Sequence, residues 1–295
     1  MRIRITVFFL LALPLLAEVE LRRASVAALF RDPAVSVTAA GEDPFRDAPE
    51  VTPESPVYFG GLFTARATQA GELLLRSSNG IDFHFEGPGF FGIDRFDQVF
   101  APGDRSGGLV PEETRLIMNL REGDVLVDSR EVSSDAKILL EVPFGRVSGN
   151  RALWFISIEH DDRSQRYDFT IASAEGTLRL TDRQGEIYTL YAGQRLAGAG
   201  AYDNPGIEIG EPTSDTRERF EEFLLRRNSI KLAKLDAARL RRAMVDLPDP
   251  EDRSGRKTKR SGKQPLFIKP APAPKPLTFF RGVIAPENPS EDVDF

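Results

Sequence analysis

The stretch LLLRSSNGIDFHFE, residues 73–86, decides the fold. Its Asn-Gly pair at 79–80 is typical of the tight turn of a β-hairpin. After the turn, apolar and polar side chains alternate, which predicts a strand with one buried and one solvated face. The apolar set is Ile81, Phe83 and Phe85, and the polar set is Asp82, His84 and Glu86.

The same signals recur through residues 58–200. Alternating runs are separated by glycine-containing turns, and no stretch has a helical period. We therefore expect an all-β domain over 58–200 with short antiparallel strands, arranged as a sandwich or a solenoid-like stack. Gly87-Pro88-Gly89 is expected to end the first strand. Further strands are expected at 116–120, 124–128, 137–142, 153–159, 167–172, 177–182 and 187–191.

The period changes after this domain, and residues 213–246 are predicted to form one basic amphipathic helix. Ser214 or Asp215 can cap its start, and Pro248 stops it. Phe220, Phe223 and Leu224 begin an apolar stripe, which Ile230, Ala233, Ala237, Leu240 and Met244 continue.

The cations of this helix are the candidate partner-binding residues. Two interpretations remain open: a solvated face on a helix whose apolar stripe docks on the domain, or a surface for anionic lipid or an acidic partner. The candidates are Arg226, Arg227, Lys231, Lys234, Arg239, Arg241 and Arg242.

The two ends of the chain differ from the domain. Residues 1–17 have a basic start and a 13-residue apolar run, which is too short to span a bilayer and is typical of a signal peptide cleaved after Ala17. Residues 18–57 are expected to be an N-terminal segment and linker, with a short helix between Val19 and Arg31. Residues 247–295 are basic and proline-rich, which predicts a disordered tail.

Composition limits the chemistry. The chain has no cysteine and two histidines, so it excludes disulfides, thiol nucleophiles and multi-histidine metal sites within one chain. Residues 217–263 hold 15 Lys/Arg and 8 Asp/Glu, a net charge of +7, while the 295-residue chain carries −6, which leaves −13 for the rest. This asymmetry indicates either self-contact or an anionic partner, and export disfavours nucleic acid.

Three polar groups are weighed as chemical sites, and each also has a structural explanation. The acids and histidine of 82–86 resemble a ligand set but fit the solvated face of a strand. His160-Asp161-Asp162 fits a polar hairpin loop. Asp94, Asp97 and Asp104 do not have the spacing of an EF-hand. We therefore expect no catalytic residue, no metal and no cofactor.

Several stretches of residues 72–198 resemble the FecR-type periplasmic domain. The resemblance is carried by short strand and turn motifs at five places. They are Ser78-Asn79-Gly80-Ile81, Leu120-Arg121-Glu122-Gly123-Asp124-Val125-Leu126-Val127, Val142-Pro143-Phe144-Gly145-Arg146-Val147, Ala174-Glu175-Gly176-Thr177-Leu178 and Leu190-Tyr191-Ala192-Gly193-Gln194-Arg195.

This resemblance implies a β fold without catalytic residues or cofactor. The family's Gly-Thr before a central strand is replaced by Asn150-Arg151-Ala152, and a signal peptide stands where FecR sensors carry an anti-sigma segment and a membrane helix. The expected function is therefore that of an exported, non-catalytic interaction, scaffold or sensor module, periplasmic or secreted, with an unknown envelope protein or anionic surface as partner and no membrane span after cleavage.

Two other functions are open at this point. A glycan- or small-ligand-binding module would show exposed aromatic side chains on a concave face, with Trp154, Tyr167, Tyr188 and Tyr191 as candidates. A hydrolase would bring Asp82, His84 or the pair of Asp94 and Asp97 together in a cleft.

Export gives the first testable prediction. The apolar run after a basic start should direct secretion and be removed, so mass spectrometry of envelope or extracellular material should find a mature chain that begins near Glu18. Recovery of the full-length chain in the cytoplasm alone would contradict this prediction.

Overall fold

The computed structural model describes residues 20–47, 50–100, 111–161, 163–164, 166–201, 204–231 and 235–246. The expected signal peptide and the expected C-terminal tail lie outside these residues. Within them the protein is an all-β domain followed by helix, as the sequence predicts.

The strands form one mixed sheet. In the part of the chain that is described, it has 14 strands in the order β13-β12-β10-β9-β8-β7-β6-β5-β2-β4, while β1 pairs with β6 and β14, β3 with β5, and β11 with β10. All pairs are antiparallel except β7 with β8. The strands are β1 (Glu20–Arg23), β2 (Ser25–Arg31), β3 (Val35–Ala39), β4 (Val57–Gly60), β5 (Phe63–Ser77), β6 (Asp82–Phe100), β7 (Glu113–Asp128), β8 (Lys137–Val142), β9 (Gly145–Asp161), β10 (Arg166–Asp182), β11 (Ile187–Leu190), β12 (Gln194–Ala201), β13 (Asn204–Gly210) and β14 (Val245–Asp246).

Several strands are longer than the sequence predicts. The expectation that Gly87-Pro88-Gly89 ends a strand is wrong, because β6 continues through it with a break in its register against β7. A side chain at Gly89 would overlap the carbonyl oxygen of Glu122, so only glycine allows the two backbones to approach here. The glycines therefore bend strands in the middle as well as joining them.

Because of these bends, one strand can pair with different neighbours along its length. β7 pairs with β8 over Arg115–Asn119 and with β9 over Gly123–Asp128. Phe85 and Phe91 lie on either side of the bend in β6, yet their rings stack with centroids 5.9 Å apart. The folded sheet thus encloses a main core to which both halves of its long strands contribute.

The expectation of a helix between Val19 and Arg31 is wrong. The segment forms β1 and β2, so the sheet begins well before residue 58. β2 is buried on both faces: Val26 and Ala28 face the main core, while Ala27 and Leu29 face a second core. A strand covered on both sides is a continuous apolar run without alternation, which explains why its pattern gave no strand signal.

The expected single helix over 213–246 is two helices. They are α1 (Ser214–Lys231) and α2 (Ala237–Ala243), and the chain then returns to the sheet as β14. The side chain of Thr213, rather than Ser214 or Asp215, caps α1 by accepting the backbone N–H of Thr216 at 3.2 Å. None of the described helices is long and apolar enough to cross a membrane.

The helices cover the outer face of the sheet, defined here as the side turned away from the main core. They contribute Phe220, Phe223 and Leu240 to the second core, and the sheet contributes Ala27, Leu29, Leu74, Leu126, Leu153, Phe155 and Ala172. The described part of the predicted stripe therefore docks on the domain, although Ala237 is exposed and Met244 half-buried. Ala233 and the side chain of Ile230 lie outside the described residues.

Removal of the Phe169 ring tests the main core. The predicted burial of Phe83, Phe85 and Phe169 is confirmed, and Phe169 stacks on Phe144 with centroids 3.6 Å apart. Phe169→Ala should lower the free energy of unfolding by about 3–5 kcal/mol in a denaturant titration, because a packed ring leaves a cavity. Tyr191→Ala is the control, since Tyr191 is 61% exposed, and it should cost less than about 0.5 kcal/mol. Equal losses for the two variants would place Phe169 outside the core.

Candidate interaction site on the outer face

Two rows of charged side chains cross the outer face beneath α1. In the first row, Glu72 of β5 lies directly opposite Glu86 of β6, which lies opposite Asp124 of β7. In the second row, Asp82 of β6 lies opposite Asp128 of β7. Like charges directly opposite each other on neighbouring strands destabilise a sheet. Both rows therefore require cations.

Arg227 of α1 supplies the cation of the second row. Its guanidinium lies 2.6 Å from Asp82, 2.9 Å from Asp128 and 3.2 Å from Glu131. The Arg227 side chain is 6% exposed, and the Asp82 and Asp128 side chains are 5% and 0% exposed. This is a buried ion network, in which each charge depends on the others for compensation.

Arg76 of β5 and Arg130, in the turn after β7, complete the second row. Arg76 binds both oxygens of Asp82, at 2.7 and 3.0 Å, and Arg130 binds both oxygens of Asp128. Burial raises the pKa of Asp128, but the hydrogen bonds from Arg130 and the charge of Arg227 outweigh burial and hold that pKa below its ordinary value. Each aspartate of the second row thus has a guanidinium group on both of its oxygens.

His84 lies between the two rows and is buried, so the expectation that it faces solvent is wrong. It is 4% exposed, and its ring stacks on Phe223 of α1 with centroids 5.9 Å apart. Its Nε2 lies 3.2 Å from Glu72 and 3.3 Å from Glu86. The face was correctly assigned as polar, but α1 covers it.

The first row is compensated by two more arginines of α1. Arg226 pairs with Glu72, and Arg219 pairs with Asp124 and lies 3.7 Å from Glu86. Burial raises the pKa of Glu72, but hydrogen bonds from His84 and Arg226 lower it more, and the resulting pKa is about 2. Glu72 is therefore ionised throughout the physiological range.

α2 is held at the other end of this face, beside β2 and β4. Leu240 is 2% exposed, and its carbonyl accepts a hydrogen bond of 2.7 Å from the hydroxyl of Ser25. The backbone N–H of Asp236, the N-cap of α2, donates to the Tyr58 hydroxyl at 2.9 Å. These contacts turn Leu240 inward and leave the arginines of α2 outside.

The seven candidate partner-binding residues therefore differ in whether they are available to a partner. Arg227 is committed to the sheet and unavailable to a partner, and Arg226 is 51% exposed but paired with Glu72. On α2, Arg239, Arg241 and Arg242 are exposed. Lys234 and the side chain of Lys231 lie outside the described part of the chain.

The other chemical candidates are separate from this site. Asp94 accepts a hydrogen bond from Asn119 at 2.6 Å, Asp97 pairs with Arg95, and Asp104 is outside the described residues. His160 and Asp161 lie in β9 rather than in the predicted hairpin loop, and Asp162 is outside the described residues. The His160 ring stacks on Tyr167 with centroids 4.3 Å apart. The acids considered for a hydrolase are engaged in these contacts, and Asp82 is in the ion network of Arg227.

The candidate aromatic residues do not share one exposed surface. Trp154 and Tyr167 are buried, Tyr188 is half-buried and donates to Glu186, and Tyr191 is exposed. A cavity of about 360 Å³ on β9, β10, β12 and β13 is lined mainly by small and polar residues. They are Ser157, Glu159, Asp168, Phe169, Thr170, Ala197, Gly198, Ala199, Gly206 and Glu208.

No protein family and no curated protein matches this sequence. Among solved structures, the chain is similar to two crystal structures of a candidate anti-sigma factor from Parabacteroides distasonis ATCC 8503, with a TM-score of 0.32 for each and identities of 10% and 9%. The similarity covers 48% of this chain and 57% and 56% of the other chains, so it spans little more than half of their length. Similarity at this level gives no evidence of function.

Sequence reasoning found the polar face but missed the rows of paired charges. Asp82, His84 and Glu86 are adjacent in the alternating pattern, whereas Glu72, Asp124 and Asp128 come from other strands. The available signal was the excess of negative charge in the domain beside the positive helix, which indicated self-contact as one of two outcomes.

Removal of the Arg227 charge tests the ion network. Arg227→Met should lower the free energy of unfolding by about 3–5 kcal/mol, because Asp82 and Asp128 would lose a buried partner. Arg217→Met is the matched control: Arg217 is also in α1, but it is 60% exposed and pairs with the exposed Glu211. Denaturant titration of both variants measures the difference, and an equally small loss for both would mean that Arg227 is not buried in solution.

Proposed function

We propose that this chain is an exported, non-catalytic protein of the bacterial envelope that works as an interaction, scaffold or sensor module with a FecR-like β domain. The observation that carries the proposal is that the cations of the two helices have different surroundings. The arginines of α1 pair with carboxylates of the same chain, and those of α2 are exposed.

The α2 surface, formed by Arg239, Arg241 and Arg242, is the part we assign to an anionic partner. α2 is anchored through Leu240, Ser25 and Tyr58, so its arginines project from a fixed support. A fixed support reduces the ordering cost of binding. Arg241 and Arg242 lie in the last turn of α2, next to its negative end.

The expected partner is an acidic protein at the envelope. Three exposed arginines give only about 1 kcal/mol each at an anionic lipid surface, which is little for membrane attachment without a buried apolar anchor. A protein partner can add bidentate carboxylate contacts, which arginine is suited to make.

The hydrolase and glycan-binding alternatives have less support. A hydrolase needs a base and a nucleophile free to meet a substrate, and the candidate carboxylates are engaged in ion pairs or hydrogen bonds. A glycan site needs exposed aromatic rings, and Trp154 and Tyr167 belong to the main core.

Charge reversal on α2 tests the proposed partner surface. Arg241→Glu with Arg242→Glu should abolish affinity capture of the partner from envelope extracts, since opposite charges would become like charges. Capture by the unchanged protein should weaken as salt rises, because exposed charges are screened over about 8–10 Å at physiological ionic strength.

The matched control reverses Arg179 and Arg183, which are exposed elsewhere on the domain and give the same change in net charge. Capture retained by this control and lost by the α2 variant supports the proposal. Equal loss in both, or salt-independent capture, refutes it. Recovery on phosphatidylglycerol vesicles without any captured protein would assign the surface to lipid instead.

A further inference from the structure

Three side chains of the outer face converge as a metal site would require. The carboxylates of Glu72 and Glu86 and the imidazole of His84 each offer one ligand atom, and these atoms all lie within 4.8 Å of one another. Glu72 comes from β5, and the other two are two residues apart on β6, so the backbone register alone brings them together.

The distances suit a small tetrahedral ion. Zinc binds carboxylate oxygen and imidazole nitrogen at about 2.0–2.2 Å, so two ligand atoms on one ion are about 3.3–3.5 Å apart. The Nε2 of His84 is 3.2 Å from Oε2 of Glu72 and 3.3 Å from Oε1 of Glu86. Each carboxylate is thus already separated from the imidazole as two ligands of one zinc ion are, and all three ligand atoms lie within 4.8 Å of one another.

The electrostatics of the pair also favour a dication. Glu72 and Glu86 are direct cross-strand partners, and both point an oxygen at the same nitrogen of His84. A neutral imidazole has one N–H to donate, which serves two carboxylates poorly. The first row also has three carboxylates, Glu72, Glu86 and Asp124, against only two arginines of α1, so a divalent cation on the three ligand atoms would balance the negative charge that the arginines leave.

Side chains of α1 contact each of the three candidate ligand groups. Arg226 contacts Oε1 of Glu72, and Arg219 lies 3.7 Å from Oε2 of Glu86, so in both carboxylates the other oxygen faces His84. Phe223 stacks on the imidazole. Such outer partners fix the orientation of metal ligands and contribute to affinity.

We propose that Glu72, His84 and Glu86 bind a zinc ion, with a fourth position open to water or a small ligand. An N,O ligand set with one imidazole and two carboxylates suits zinc. Glu86 is 39% exposed, which provides a route of entry from solvent. Because Arg219, Phe223 and Arg226 all belong to α1, zinc binding is coupled to the docking of this helix.

The Nδ1 atom of His84 does not decide between a proton and a metal at Nε2. It is buried without a hydrogen-bond partner among the described residues. It is unsatisfied when it carries the proton and also when it does not. Whether Nε2 binds a proton or a metal ion therefore depends on its own contacts, which are the two carboxylates.

Titration of the full chain with zinc chloride tests the proposal. Calorimetry should give one zinc ion per chain, and Glu86→Gln and His84→Gln should each weaken binding about tenfold or more. Glu86→Gln is the primary variant, because Glu86 is partly exposed and the substitution preserves side-chain size. Circular dichroism of each variant checks that it is folded.

His160→Gln is the matched control, because the chain has only two histidines. It should leave the zinc affinity unchanged. Cobalt in place of zinc should give the visible absorption of a tetrahedral site, and Arg226→Gln should alter that absorption if Arg226 orients Glu72. The proposal is overturned if zinc does not bind stoichiometrically, if Glu86→Gln binds as the unchanged protein does, or if His160→Gln removes the binding.

Discussion

The contact between the buried Arg227 and the carboxylates of Asp82 and Asp128 is the constraint on which the rest of the structure depends. The sheet register puts these two acids directly opposite each other with almost no exposure. Without a cation, burial and repulsion would both oppose this arrangement. Arg76 and Arg130 each pair with one of the two acids, and Arg227 bridges both of them only when α1 lies on the sheet, so helix docking and strand pairing support each other.

The same dependence explains the uneven charge of the chain. The acids of the outer face and the arginines of α1 are complementary parts of one interface within the chain. Phe220 and Phe223 are buried in that interface, so both apolar packing and ion pairing hold α1 on the sheet. Among the described residues, the cations that remain exposed after α1 has docked include the arginines of α2.

The bends of the long strands have a comparable role in the main core. Gly89 and Gly123 allow β6 and β7 to approach each other closely where their pairing is interrupted. The two halves of β6 can then cover the same core, as the stacking of Phe85 on Phe91 requires. A sheet folded in this way buries one face within itself and leaves the other to be covered by the helices.

The sequence by itself determined the features that are local. Alternation placed Phe83, Phe85 and Phe169 in the core, the Asn-Gly pair predicted the turn before β6, and the change of period located helical structure after residue 213. The tertiary structure decided which strands are neighbours, and therefore that Glu72 faces Glu86 and Asp82 faces Asp128. It also decided that His84 is buried, because a polar strand face becomes interior only when another element, here Phe223 of α1, packs on it. Cross-strand register joins residues far apart in the chain, and no local pattern of side chains encodes it.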